Sequence, residues 1–310
     1  PTLAGLPGIT AELGDFVIAR SISDPLYHMA VVVDDADEGV TDIIRGEDHI
    51  SNTPRHILLQ RALGFPTPRY AHIPLILMPD RSKMSKRKEG SSVRAYREQG
   101  ILPEALINYL ALLGWNPGTE QELFTIDELI QSFEISNVNK SGAIFDAEKL
   151  RWFNHEYTKK LSLDSYTNML SEYIGKDISM LPVALIKERA RTFGEAAELI
   201  QNGEYSFMED TITYDPSLLI KGSKSDADTA RKHLFEVSRL LGEIDDSSFT
   251  METVKDTIFP YATQEGRGAV LWPLRTALSG REKSPDPFTI CSLIGKEKTL
   301  RRIVAAIEVL

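Results

Sequence analysis

The amino-acid sequence predicts an α/β portion followed by an all-α portion, and three observations carry that prediction. Short β-branched runs alternate with a capped helical segment up to about residue 90. From Pro103 onward, apolar residues recur at helical spacing between capping residues. At 310 residues the chain exceeds the usual size of one hydrophobic core, so two or more domains are expected.

Residues 29–33 (MAVVV) and 41–45 (TDIIR) read as two strands separated by the acidic turn 34–39 (DDADEG). A helix follows: Ser51 and Asn52 can cap it, Pro54 suits its first turn, Ile57, Leu58 and Ala62 carry the apolar spacing, and Gly64 stops it. Residues 73–78 (IPLILM) read as another strand running into a charged loop at 79–90. Strand, helix, strand in that order suits part of a parallel sheet. Beyond it, Pro103 to Leu113 forms a helix closed by Gly114, Thr125 and Glu128 form a capping box, and Asp146 caps a helix from Ala147 to Tyr157. No further strand is expected. Helical periodicity recurs near 163–174, 182–202, 226–241, 250–258, 267–279 and 297–309, and Pro273 is expected to kink or break its helix. Residues 222–225 and 279–287 read as exposed connections, and a domain boundary falls near Lys159.

Composition narrows the classes of function. No apolar run approaches the roughly 20 residues a membrane-spanning helix needs, so no membrane partner is expected. A single cysteine, Cys291, excludes an internal disulfide and a thiolate zinc cluster, and no structural metal is expected. With no basic, apolar leader at residue 1, this points to the cytoplasm. The formal charge of −10 argues against general polyanion binding, so a nucleic-acid surface has to be a local basic patch.

The densest basic cluster is 81–88 (RSKMSKRK), five cationic residues in eight positions after an apolar run. Ammonium groups on such a loop can follow a triphosphate from ground state to transition state, as adenylate formation with pyrophosphate departure requires. Lys83 and Lys86 are the candidates. A solvated basic loop or a nonspecific nucleic-acid patch is the competing reading.

Lys83-Met84-Ser85-Lys86-Arg87 resembles the KMSKS-type signature of class I aminoacyl-tRNA synthetases. Upstream, 45–55 (RGEDHISNTPR) resembles the segment after a core strand in bacterial glutamyl-tRNA synthetases, and 24–28 (DPLYH) the approach to their substrate strand. Segments 71–76 (AHIPLI), 96–100 (YREQG), 102–110 (LPEALINYL), 145–150 (FDAEKL) and 268–280 (GAVLWPLRTALSG) are also similar to this family.

The resemblance implies a fold and roles. Residues 1–90 would be the C-terminal half of a Rossmann-like catalytic domain, 91–159 a stem-contact helical domain, and 160–310 an all-helical anticodon-binding domain. Lys83, Met84, Ser85, Lys86 and Arg87 would bind ATP, which arrives with Mg2+ as a substrate complex, and Lys83 and Lys86 would act in catalysis. Tyr27 and Arg45 would hold glutamate or its adenylate, with Asp48 and His49 beside it. The chemistry agrees, since Arg45 offers a planar fork suited to a carboxylate at the end of a strand, where α/β enzymes place ligands. A structural salt bridge is the rival reading for Arg45, and ordinary core packing for Tyr27, where Leu26 replaces the family's usual threonine.

Candidate RNA contacts in the helical region are Lys159, Lys160, Lys187, Arg189, Arg191, Arg267, Arg275, Arg301 and Arg302, with Trp152 and Trp272 as possible stacking platforms; for both tryptophans core packing is favoured. The second nucleotide signature of the family, His-x-Gly-His, is formed by none of the six histidines, and all of these except His49 read as ordinary core or surface residues. That signature is expected on an N-terminal catalytic segment ahead of residue 1. The function implied is that of a glutamate–tRNA ligase acting on tRNA-Glu, glutamate and ATP, the fragment being inactive alone. The alternative is a noncatalytic tRNA-binding module derived from the synthetase.

Overall fold

Helices dominate the structure, a computed structural model that describes residues 13–84, 92–223 and 225–310. The chain divides into two units, Pro1–Tyr157 and Thr158–Leu310.

In the first unit a short antiparallel hairpin, β1 (Ala19–Ser21) and β2 (Asp24–Pro25), leads into helix α1 (Tyr27–Asp37). The run 29–33 therefore lies in a helix and is not the strand its β-branched composition predicts. The preference that β-branched side chains give is weak, and helical geometry turns Val32 to full burial on the side packed against the following helix. Strand β3 (Asp42–Gly46) does form, and after a 3₁₀ turn (Glu47–Asn52) helix α2 (Thr53–Leu63) carries the chain to β4 (Arg69–Ile73). β3 and β4 are parallel, with Arg45 in register with His72. Pro54 sits in the first turn of α2 and Gly64 closes it at φ 71°, as the sequence indicates. Its N-cap differs: Asn52 is already helical and makes no cap, its side chain going to His49 Nδ1 at 3.0 Å.

The apolar run 73–78 is likewise not one strand. β4 ends at Ile73, and after Pro74, which has no N–H to donate to a ladder, β5 (Ile76–Leu77) pairs in a different sheet with β6 (Ala143–Ile144). β6 also corrects the expectation of no strand beyond Pro103; two residues are too few to leave a period in the sequence. Helices α3 (Val93–Glu98), α4 (Pro103–Gly114), α5 (Ile126–Ser132) and α6 (Ala147–Lys160) complete the unit. The Thr125–Glu128 capping box is made in both directions, and Asp146 Oδ1 accepts from Glu148 N at 2.8 Å and Lys149 N at 3.2 Å. Tyr96, Ile101, Leu106, Tyr109, Phe145, Leu150 and Phe153 form the core between these helices, and Met84 packs against it.

The second unit is helical throughout its described residues: α7 (Leu163–Ile174), α8 (Val183–Arg189), α9 (Phe193–Gln201), α10 (Leu218–Lys221), α11 (Ala227–Gly242), α12 (Met251–Glu265), α13 (Arg267–Ser279), α14 (Pro287–Ile294) and α15 (Lys296–Val309). The single periodic stretch read at 182–202 is two helices, the second capped by Thr192. Pro273 does not break α13. It is buried, and tertiary packing outweighs a loss of about 3 kcal/mol that an interior proline costs a helix. Two expected exposed connections contain buried residues, Ser223 and Ser279. At Gly222 an added Cβ would fall 2.4 Å from the Trp272 ring, and Trp272 Nε1 donates to Leu218 O at 2.9 Å. The ring is thereby committed to packing.

Candidate active site

Four elements bring polar side chains together around Arg45. On β3, Ile43 and Arg45 share one face by strand alternation. On α2, Thr53 and His56 lie one turn apart and are fully buried. β4 supplies His72 by register and α1 supplies Tyr27 and His28.

The result is a connected network. Arg45 Nη2 donates to Thr53 Oγ1 at 2.7 Å and to His49 O at 3.4 Å, and Nη1 donates to His56 Nδ1 at 3.3 Å. His56 Nε2 lies 3.0 Å from His28 Nδ1, and His72 Nε2 lies 2.9 Å from Thr53 Oγ1. Tyr27, half exposed, sets its ring against those of His28, His49 and His56 at centroid distances of 5.4, 6.4 and 5.9 Å.

Electrostatics here favour an anion. Among the described residues Arg45 forms no salt bridge, and its Nε is buried with no hydrogen-bond partner. Its charge is instead cushioned by neutral imidazoles. Burial, then the Arg45 charge, pushes His56 down to about 4, and His28 and His72 are lowered mainly by burial too.

Asp48 and Lys83 form the second part of the site. Lys83 Nζ donates to Asp48 Oδ2 at 2.5 Å, and that bond holds the Asp48 carboxyl below the ordinary carboxylate range. The turn before Lys83 is built locally. Met78 N bonds Ser82 O, Ser82 N bonds Asp80 Oδ1, Arg81 takes φ 63°, and Lys83 then bridges back to Leu77. Gly46 leaves room for Asp48, because an added Cβ would stand 2.5 Å from its Oδ1. Ser85, Lys86 and Arg87 lie outside the described residues.

Thus Tyr27, Arg45 and His49 fall in one cluster, while Asp48 and Lys83 pair beside it. The sequence alone reads His28, His56 and His72 as ordinary residues and gives Thr53, within the 45–55 motif, no role of its own. The i, i+3 placement of Thr53 and His56 on one helix face was the available signal.

The candidate RNA contacts are largely engaged within their own unit. Lys187 reaches Leu161 O, Arg189 pairs with Glu204 at 3.1 Å, and Arg275 lies over Trp272. Arg302 is no phosphate ligand: it is buried and donates to Phe207 O, Leu278 O and Glu209 O at 2.9, 2.6 and 2.6 Å. Trp152 is exposed, so it is not the core residue its amphipathic helix suggested.

Residues 8–152 match the family of class I tRNA synthetases (E and Q), catalytic domain, and residues 145–307 match the anticodon binding domain family. Together the two models match nearly the whole chain, which belongs to the class I tRNA synthetases (E and Q). Among its relatives, glutamate–tRNA ligase 1 of Alkalilimnicola ehrlichii is 39% identical over 96% of this chain and 63% of that protein, and the ligase of Heliobacterium modesticaldum is 38% identical over 96% and 62%. A crystal structure of the glutamate tRNA ligase from Elizabethkingia meningosepticum, in complex with its amino acid, superposes with a TM-score of 0.75 at 32% identity, covering 96% of this chain and 63% of that one. The chain thus spans about 63% of the length of the relatives it matches.

Proposed function

We propose that this chain contributes the glutamate-holding face and the KMSKR half of the ATP site to a glutamate–tRNA ligase. In that reaction glutamate attacks the α-phosphate of ATP·Mg2+, pyrophosphate leaves, and the glutamyl group passes from the adenylate to the terminal ribose of tRNA-Glu. The observation that carries the reading is Arg45, a cation with no carboxylate partner among the described residues, at the end of a parallel strand. Tyr27 and His49 flank the same position; Asp48 lies beside it and suits an ammonium group, the role Lys83 fills in this structure. Lys83 and Lys86, with Met84, Ser85 and Arg87, would follow the phosphates.

The chain is divided, on this reading, into the catalytic portion 1–90, a stem-contact portion 91–159 and an anticodon-binding portion 160–310, working in the cytoplasm. The His-x-Gly-His signature, absent from these 310 residues, would be supplied by an N-terminal catalytic segment. The test is glutamate- and tRNA-dependent ATP–pyrophosphate exchange with and without such a segment, alongside titration with tRNA-Glu. Exchange restored by the segment, and abolished by Lys86→Ala with RNA affinity spared, is expected. RNA binding without exchange in either case would overturn the reading in favour of a noncatalytic tRNA-binding module.

A further inference from the structure

We propose that His56 is a positioning residue for Arg45: as a neutral imidazole it accepts from the guanidinium at Nδ1, donates from Nε2 to His28, and thereby aims the fork at a substrate carboxylate. The proposal rests on the assignment of Arg45 to that carboxylate.

The geometry fixes the direction of the hydrogen bonds. A guanidinium has only donors, so the nitrogen it contacts, His56 Nδ1 at 3.3 Å, must carry the lone pair. The remaining proton then sits on Nε2, which is 3.0 Å from His28 Nδ1, and His28 in turn must accept there. Both imidazoles are therefore Nε2–H tautomers. Thr53 Oγ1 and His49 O hold Nη2 at 2.7 and 3.4 Å, so each terminal nitrogen of the fork has its own anchor, and Nη1 keeps a second N–H beyond the one His56 takes. Held at both ends, the guanidinium cannot turn about its long side chain, and a fixed donor direction is what recognition of a carboxylate needs.

Protonation of His56 would undo this. The groups facing it are Arg45 from β3, His28 and Tyr27 from α1, His49 from the 3₁₀ turn, and Thr53 and Arg55 on its own helix. None is a carboxylate. A charged His56 would lose its acceptor and stand beside a second cation.

Two measurements on the 310-residue chain test the proposal. The ¹⁵N spectrum of its histidines needs no ligand and should show His56 with Nδ1 unprotonated and Nε2 protonated; an Nδ1–H tautomer overturns the proposal. Calorimetric titration with glutamate should show His56→Leu weakening affinity about ten-fold, the scale of a lost hydrogen bond to a charged group, with His56→Gln restoring most of it because an amide can accept and donate in the same two directions. Arg45→Lys should lose at least as much as His56→Leu. Loss in Arg45→Lys without loss in His56→Leu overturns the positioning role. Glutamate binding that is absent, or indifferent to Arg45→Lys, overturns the carboxylate assignment instead, and the spectrum still decides the hydrogen-bond pattern.

Discussion

Lys83 Nζ stands 2.5 Å from Asp48 Oδ2, so the first lysine of the basic loop is held by a carboxylate 35 positions earlier in the chain. Two segments that the sequence presents as separate motifs share one ion pair. For Lys83 to follow a phosphate, as proposed, the pair has to open.

Asp48→Asn should therefore free Lys83 while leaving the melting temperature almost unchanged, since both partners are substantially exposed and such pairs contribute little. The Asp48 carboxyl is depressed, so the pair is complete above the ordinary carboxylate range and is lost as pH falls through the depressed value. The ¹⁵N signal of the Lys83 ammonium, followed against pH in the native chain and the variant, checks both statements. A variant signal identical to the native one would contradict them.

Gly46→Ala should disturb the same pair from the backbone side. Its methyl would stand 2.5 Å from Asp48 Oδ1, so the carboxylate must swing away. A loss of about 1 kcal/mol, the low end of what overpacking costs, is expected in urea unfolding, together with release of Lys83.

Acid should weaken the first unit through His56. Its folded value, about 4, lies below the ordinary 6.5, so the unfolded chain binds the extra proton first. Stability from this group is complete above about pH 6.5 and falls as pH drops toward 4. Thermal melts of the native chain and His56→Gln at pH 7.5 and pH 5 should show a smaller pH-dependent drop in the variant; equal drops would rule His56 out as the source.

In the second unit Arg302→Met should be severe. Three backbone carbonyls lose their donor, those of Phe207 and Leu278 in a buried setting and that of Glu209 in a part-buried one. About 3 kcal/mol or more is expected from unsatisfied buried acceptors, measured by urea unfolding; Arg301→Met, on the exposed neighbour, should change stability by less than about 0.5 kcal/mol.

What the sequence made legible follows from what is local. Pro54 and Gly64 bounded a helix correctly because a first-turn proline and a left-handed glycine act within their own turn. The Thr125–Glu128 box was readable for the same reason. Val31 to Val33 misled, because β-branching is a weak preference that packing of α1 against α2 overrides. The ending of a strand at Pro74 and the two-residue β6 depend on partners some 70 positions apart, which no local pattern displays. In the site, Arg45 stood out by its motif, whereas His56 and His72 acquire meaning only through the β3–β4 register and the face of α2 turned to it.

The interior between α1 and α2 has a consequence for motion. Its fully enclosed side chains include Thr53, His56 and Gln60, with Val32 and Leu59 as the main apolar members, whereas the helical unit encloses many leucines and isoleucines. Polar enclosures gain little net free energy per contact compared with apolar ones. Amide protons of β3 and α2 should therefore exchange with solvent through openings of lower free energy than those of α11 and α13. The segment carrying Arg45 would then be the part of the chain that order from a bound ligand stabilises most.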